Sequence, residues 1–500
     1  MLPLTIQRAR HLGFSLSLPA LDVASLGAAL LYLLFFSFGL LQFTDPDYWW
    51  HLRTGRLIVD TGSVPHHDPF SFTAAGSRWI AHEWLSDVII YRVESAVGYV
   101  GNSILFSCLA LAALFVMHRL LLKMGLSPRL ALAIVAFGGV MGLRYWTVRP
   151  LVFTWLLVAI FLYTLYMYHR DGKGRLWHLP LLMLLWANLH AGYVMGLVLL
   201  GLWLAAMAAE RMLWHERRDL RGPALTLVAS FAATAVNPNG VALLTYPLTY
   251  LAPGNASFKL ISEWQSPDFH QPMHLPLALG IIVLVAVGVT GSGRNLFRLG
   301  LALLFTLFAL QSSRHQPLFA LAFMLVVGDA LLERWAWARR PDQGPSAARG
   351  YPALNWSLLA MAVLAAAAVV PQMPTAQVHK AANTGGTPPY PVEGAEFIRQ
   401  RYPEARMFNS YEWGGYLINA LYPQQRVFID GRPDMYGDAL VEEYVDVVTI
   451  QSGWQDILDK YDVDLVIIER ESALATVLRE SPAWRSAFSA DVEEVFVRVP

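Results

Sequence analysis

The sequence predicts an all-α polytopic membrane bundle of about 11 transmembrane helices, followed by a C-terminal soluble α/β domain. Three observations predict it. Hydrophobic residues make up 55% of the 500 residues and charged residues only 15%, with a mean hydropathy of +0.41. That is too apolar for a soluble chain of this size. Long apolar runs recur through the first three quarters of the chain, and past residue 371 the composition turns polar.

The apolar windows lie at 23–43, 100–121, 130–146, 150–168, 176–190, 192–210, 222–237, 274–291, 298–313, 316–333 and 352–371. The first carries no charge from Val23 to Phe43. It is too long for a signal-peptide core and no small-residue cleavage site follows it, which predicts an uncleaved first helix. The windows 176–190 and 222–237 are short for a span.

Basic residues orient the bundle. With the N-terminus (Arg8, Arg10) inside, the inner loops and the N-terminus hold 18 Lys and Arg, against 8 in the outer loops before residue 372. Because Lys and Arg accumulate on the cytoplasmic side, this predicts a cell (inner) membrane protein with a cytoplasmic N-terminus and an extracytoplasmic C-terminal domain. The expected division is 1–371 membrane domain, 372–394 Pro/Gly/Thr-rich linker and 395–500 soluble domain. In the last, AEFIRQRYP and GWQDILDKY read as helices. RVFIDGR (426–432), VDLVIIER (463–470) and VEEVFVRV (492–499) read as strands. A net charge of zero argues against a nucleic-acid partner, and the single cysteine, Cys108, excludes an intrachain disulfide. Its place in an apolar run predicts a buried, inert thiol.

The unusual polar clusters all fall in outer loops. The first of these, about 44–99, opens with DPDYWWHLRTG (45–55), where Asp45 and Asp47 sit beside the bilayer. Charge there is costly unless it is paired or functional. The D-x-D spacing lets both share a cation, or one ligate and the other act as a base; a helix cap is the plainer alternative. His51 and Arg53 follow at short spacing and can face the same cavity. Downstream, GSRWIAHEWLSDVIIYRV reads as a helix lying in the interface, with His82 and Glu83 as a second acid-bearing pair. Trp49, Trp50, Trp79 and Trp84 fit a headgroup belt. His66-His67-Asp68 has the look of a metal-ligand string, although SVPHHDPFSF also reads as a turn.

Arg144 and Arg149 flank a tight connection, and Arg314-His315 closes another. Outward arginines run against the positive-inside trend, and guanidinium forks suit a phosphate. Asn188, His190 and Glu263 fall on the same side. In the soluble domain FNSYEWGGYL (408–417), with Tyr411, Glu412 and Trp413, leads to VFIDGRPDMY (427–436). Gly414-Gly415 permit close backbone approach, and Asp430 sits where a turn is expected.

At these residues the chain resembles the GT-C integral-membrane glycosyltransferases, of the protein O-mannosyltransferase, aminoarabinose-transferase and oligosaccharyltransferase catalytic-subunit type. That superfamily carries a catalytic aspartate in the first outer loop, matched by Asp47 or Asp45. HEWLSDVIIY is similar to its acidic, aromatic jaw segment, with Glu83 as the acid. SYEWGGYL is similar to an acceptor motif, but lacks its second Trp and its Asp. The resemblance implies a polyprenyl-phosphate-linked sugar donor and a lipid, glycan or protein acceptor at the bilayer. It assigns Asp47, Asp45 and Glu83 to catalysis, and Arg144, Arg149, Arg314 and His315 to the donor phosphate. His51, Arg53, His82, His190, Glu263, Tyr411, Glu412 and Trp413 fall to the cavity and acceptor. A divalent cation, magnesium or manganese, on Asp45 and Asp47 is compatible with it. The competing readings are a polymerase or ligase of lipid-linked envelope glycans, and a transporter or scaffold without transferase activity.

Overall fold

The computed structural model describes residues 22–40, 45–215, 218–249, 261–288, 295–339, 352–368 and 390–499. Arg8, Arg10, Arg217, Lys259, Arg294, Arg340 and Arg349, together with most of the expected linker, lie outside the described residues.

Each apolar window contains a helix. In chain order the helices up to residue 368 are α1 (Val23–Leu40), α2 (Tyr48–Thr61), α3 (Trp84–Val97), α4 (Tyr99–Met124), α5 (Pro128–Gly142), α6 (Leu151–Asp171), α7 (His178–Leu189), α8 (Tyr193–Trp214), α9 (Arg221–Thr234), α10 (Ala242–Thr249), α11 (Leu275–Gly288), α12 (Leu296–Gln311), α13 (Gln316–Arg334) and α14 (Pro352–Ala367). Among the described residues, α1, α4, α6, α8 and α13 with its preceding turn are long and apolar enough to cross a membrane, and α7, α11, α12 and α14 are apolar but shorter. Helix α13 is buried along most of its length and forms the centre, whereas α1 is largely exposed at the edge. The core closes on large side chains, among them Trp186, Trp203, Phe161 and Phe319. Outward faces stay apolar, with Leu225 and Phe231 on α9, Ile282 on α11 and Leu303 on α12 exposed. Polar solvent does not favour such a lateral surface, but hydrocarbon does. Cys108 belongs to it: the thiol is exposed on α4, not buried as expected, because it sits on the face turned away from the bundle.

Charge is paired at one end of the bundle, where Arg298 at the start of α12 meets Asp329 and Glu333 near the end of α13. The loops expected outside gather at the other end. Trp84 Nε1 donates to Asn188 Oδ1 (2.9 Å), Asn188 donates to the Val236 carbonyl, and Ser312 Oγ donates to the Glu263 carbonyl. The first loop departs from its expectation. It contains α2 as well as α3, and α3 starts only at Trp84, since residues 76–83 are not helical.

Residues 390–499 form an α/β unit. Helices α15 (Val392–Arg401), α16 (Gly414–Leu421), α17 (Asp438–Val448), α18 (Trp454–Lys460) and α19 (Ala473–Glu480) surround strands β1 (Met407–Asn409), β2 (Leu465–Glu469), β3 (Trp484–Ser489) and β4 (Glu493–Arg498). The sheet order is β1-β2-β4-β3. β1 runs parallel to β2 (Met407 opposite Leu465), and β4 is antiparallel to both β2 and β3. The parallel pair needs the long crossover that α16 to α18 supply.

The expected strand 426–432 is not part of this sheet. Its backbone pairs with the first loop instead: Val427 N–H donates to the Phe70 carbonyl (3.0 Å) and Phe72 N–H donates to the Val427 carbonyl (3.1 Å). Its other edge is held by a side chain, with Phe428 N–H donating to Asn409 Oδ1 and Asn409 Nδ2 donating to the Ile429 carbonyl. Loop and domain therefore share a core, in which Trp50, Phe70 and Trp79 pack with Leu417 and Ile418. This overturns the headgroup-belt expectation for Trp50 and Trp79, which are buried inside protein. Helix α16 lies against α2 so closely that a Cβ on Gly415 would come within 2.7 Å of the Pro46 carbonyl.

Candidate active site

Where the first loop, the connections between helices and the C-terminal unit meet there is a cavity of about 390 Å³. Two groups of titratable side chains line it.

The first group is built on the entrance to α2. Asp45 and Arg149 each precede a proline, which keeps both residues out of helical conformation just where a helix begins. Asp45 accepts from the Asp47 backbone N–H (3.0 Å) and from Thr147 Oγ (3.3 Å). Asp47 occupies the N-cap position of α2, but its side chain makes no cap bond. Instead Oδ1 accepts from Trp50 Nε1 (3.1 Å), and Oδ2 lies 2.6 Å from Arg149 Nη2. Arg149 Nη1 reaches Asp45 Oδ2 at 3.4 Å and Glu263 Oε2 at 3.1 Å. Three carboxylates from two distant segments thus share one guanidinium. Burial drives the Asp45 carboxyl up to about 7, and it raises Asp47 too, with Arg149 opposing both shifts. Glu263 resists the same burial because Arg149 and Arg314 hold it below the ordinary carboxylate range.

The second group centres on Glu83. Its carboxylate lies 3.3 Å from His190 Nε2, 3.6 Å from His82 Nε2 and 3.7 Å from His51 Nε2. Each ring is anchored at its other nitrogen: His51 Nδ1 to Asp87 Oδ1 (2.6 Å), His82 Nδ1 to the Ile80 carbonyl (3.1 Å), and His190 Nδ1 to Thr154 Oγ (2.8 Å). Gly192 N–H also donates to His190 Nδ1 (2.8 Å), so that nitrogen carries a lone pair and the proton of the neutral ring sits on Nε2, facing Glu83. Burial depresses His51 and His190 to about 3, keeping both rings neutral. Burial also opposes charge on Glu83, but His82, itself raised by Glu83 against its own burial, outweighs it and leaves the carboxylate well below its usual range.

No protein-family profile matches this sequence, and no curated protein matches it. The likeness lies in three dimensions. The oligosaccharyltransferase AglB of Archaeoglobus fulgidus, solved with an inhibitory peptide and a dolichol-phosphate, aligns with a TM-score of 0.57 at 11% identity, over 89% of this chain and 69% of its own. The apo oligosaccharyltransferase of the same organism gives 0.54 at 12% identity, over 89% and 69%. ArnT of Cupriavidus metallidurans bound to undecaprenyl phosphate gives 0.50 at 14% identity, over 95% and 97%. The fold is GT-C.

Within this fold most of the residues singled out in the sequence converge. Asp45, Asp47, His51, His82 and Glu83 come from the first loop, and Arg149, His190, Glu263, Arg314 and His315 from the helix connections. Tyr411 and Glu412 reach the cavity from the C-terminal unit. Burial, then the charge of Asp47, lifts the Glu412 carboxyl to about 7. Arg314 stacks over Trp264, 5.5 Å from the ring centroid, and among the described residues it makes no ion pair. Three expected members do not line the cavity. Arg53 donates to the Tyr422 carbonyl (2.8 Å), Arg144 is exposed and reaches Met273, and Trp413 is buried in the domain core.

Asp68 is no part of a metal string. It accepts from the Ser71 backbone and hydroxyl and pairs with Arg432 (3.0 Å), which also forks onto Asp430. Reading the sequence missed Trp50, Thr147, Thr154 and Asp87. Asp87 could be found from the sequence, because the helix expected over residues 76–93 would put it on the same face as Glu83, four residues earlier. Thr147 and Thr154 bear no pattern that marks them.

Proposed function

We propose that this protein is an integral-membrane glycosyltransferase that moves a sugar from a polyprenyl-phosphate-linked donor to an acceptor hydroxyl on the extracytoplasmic side, with Asp47 as the general base. The observation that carries the proposal is the position of the Asp47 carboxylate: it lines the cavity, is raised by burial, and is paired with Arg149, while Arg314 lines the same cavity. Two relatives sharing the fold were solved with dolichol-phosphate or undecaprenyl phosphate, which supports a lipid-phosphate donor.

In this reading the acceptor oxygen attacks the anomeric carbon from the face opposite the phosphate. The new C–O bond forms as the bond to the phosphate oxygen breaks, the acceptor proton passes to Asp47, and the polyprenyl phosphate leaves as an anion with inversion at carbon. Arg314, stacked on Trp264, supplies the charge for the leaving phosphate, with His315 next to it. The Glu83 histidine group and Glu412 line the acceptor side. The division into a membrane domain (1–371), a linker (372–394) and an extracytoplasmic domain (395–500) is part of the same proposal, as is the inner-membrane location with the N-terminus in the cytoplasm.

The test is transfer from radiolabelled polyprenyl-phosphate sugars to extracted envelope lipids by purified wild type and Asp47→Asn. Label should move in the wild type and fall by at least about 100-fold in the variant. Transfer retained in Asp47→Asn would favour a polymerase or ligase that works through the histidine group. No transfer from any donor would sink the proposal in favour of transport or scaffolding.

A further inference from the structure

Asp45, Asp47 and Glu263 are the carboxylates on which a magnesium or manganese ion would have to sit. The donor set does not fit one as it stands. Hard divalent cations of this size need carboxylate oxygens at about 2.0–2.2 Å, all turned onto one point. Here the oxygens are turned onto two nitrogens. Arg149 Nη2 holds Asp47 Oδ2 at 2.6 Å, while Nη1 holds Glu263 Oε2 at 3.1 Å and Asp45 Oδ2 at 3.4 Å. The guanidinium is 13% exposed and lies among all three groups. Among the described residues, no set of three or more His, Cys, Asp or Glu side chains is arranged to hold a metal.

The arrangement has a physical logic. A planar guanidinium offers five donors in a rigid fork and stays charged at any working pH, so it gathers several carboxylates as an ion does, but without an exchangeable ligand. Asp45 and Asp47 are fixed from other sides by backbone and indole donors, whereas the Glu263 carboxylate accepts from Arg149 Nη1 with both oxygens. Without Arg149 the two aspartates keep these partners, while the Glu263 carboxylate loses the donor that holds it.

We infer that Arg149 is a built-in cation, standing where a divalent ion would otherwise bind, and that its removal opens a divalent-cation site on Asp45, Asp47 and Glu263. The inference rests on the transferase reading for its meaning, but its test does not depend on turnover. Purified protein in detergent is titrated with Mn²⁺ up to about 1 mM, and free ion is followed by electron paramagnetic resonance. Wild type should bind no ion through this group. Arg149→Ala should bind one, at least about tenfold tighter than wild type, and Asp47→Asn in the same background should abolish it. If the wild type binds one Mn²⁺ that Asp47→Asn removes, the inference is overturned. It is equally overturned if folded Arg149→Ala, checked by its elution and melting temperature, binds none. Should Arg149→Ala fail to fold, Arg149→Gln gives the same reading with less lost volume, and the wild-type titration decides independently. A transferase assay gives the second arm: excess chelator should leave wild-type turnover within about twofold. A chelator-sensitive wild type overturns the inference and leaves the glycosyl-transfer reading standing.

Discussion

Asp47 and Arg149, 102 residues apart in sequence, are joined by a 2.6 Å ion pair in the wall of the cavity. The same guanidinium reaches Asp45 and Glu263, so its shape matters as much as its charge. Lysine would deliver one ammonium to one carboxylate and release the others. Arg149→Lys is expected to lower kcat/KM by about 100-fold while the melting temperature changes little. A variant with unchanged turnover would mean that the fork geometry is irrelevant.

A general base at Asp47, as proposed, must be deprotonated to work. Burial raises Asp47, with Arg149 opposing it, so its protonated, inactive form persists above the ordinary carboxylate range. Transfer should therefore fall as pH drops, with the acid limb of kcat/KM above the ordinary carboxylate range. Initial rates over roughly pH 4 to 9 give the limb directly. An acid limb in the usual carboxylate range would remove Asp47 from its assigned role.

Gly431 is set against Asp47. A Cβ there would lie 2.1 Å from Asp47 Oδ1 and 3.1 Å from Trp50 Nε1. Gly431→Ala must push the carboxylate or the loop aside, and a displacement of about 1 Å at a reacting group is worth roughly 100-fold in rate. The expected result is lost transfer in a protein that still purifies and melts cooperatively; full activity would show that the carboxylate has room to move.

Arg432 ties the C-terminal unit to the first loop. It pairs with Asp68 and Asp430, both fully buried, and lies over Trp79 at 4.5 Å. Replacing it with methionine strands two buried carboxylates, a change that costs about 3–5 kcal/mol. Arg432→Met should lower the melting temperature and make the first loop susceptible to limited proteolysis. Wild-type-like resistance would argue against the latch.

Part of this architecture was legible in the chain. The apolar windows found their helices because a bilayer-crossing segment must satisfy its own backbone, which makes local hydropathy nearly sufficient. The strand VDLVIIER was readable as β2 because residues 465–468 are buried on both faces, and a continuous apolar run says so. The segment RVFIDGR has the same look, but its partner is Phe70 to Phe72 in another region, and nothing local to 426–432 reveals that. Tryptophans 50 and 79 failed for the same reason: an indole at a helix exit suits a headgroup or a protein core, and only the docked domain distinguishes them.

The candidate site divides along the same line. That Asp45, Asp47, Glu83, Arg149 and Glu263 belong to one side of the bundle follows from hydropathy and from the alternation of basic loops, both properties of short stretches of chain. That Arg149 grips three carboxylates, that three imidazoles turn onto Glu83, and that Gly431 presses on Asp47 depend on distances between segments far apart in sequence. Side-chain chemistry is written residue by residue, whereas which charges meet, and how far burial moves their protons, is set only when the helices and the C-terminal unit pack.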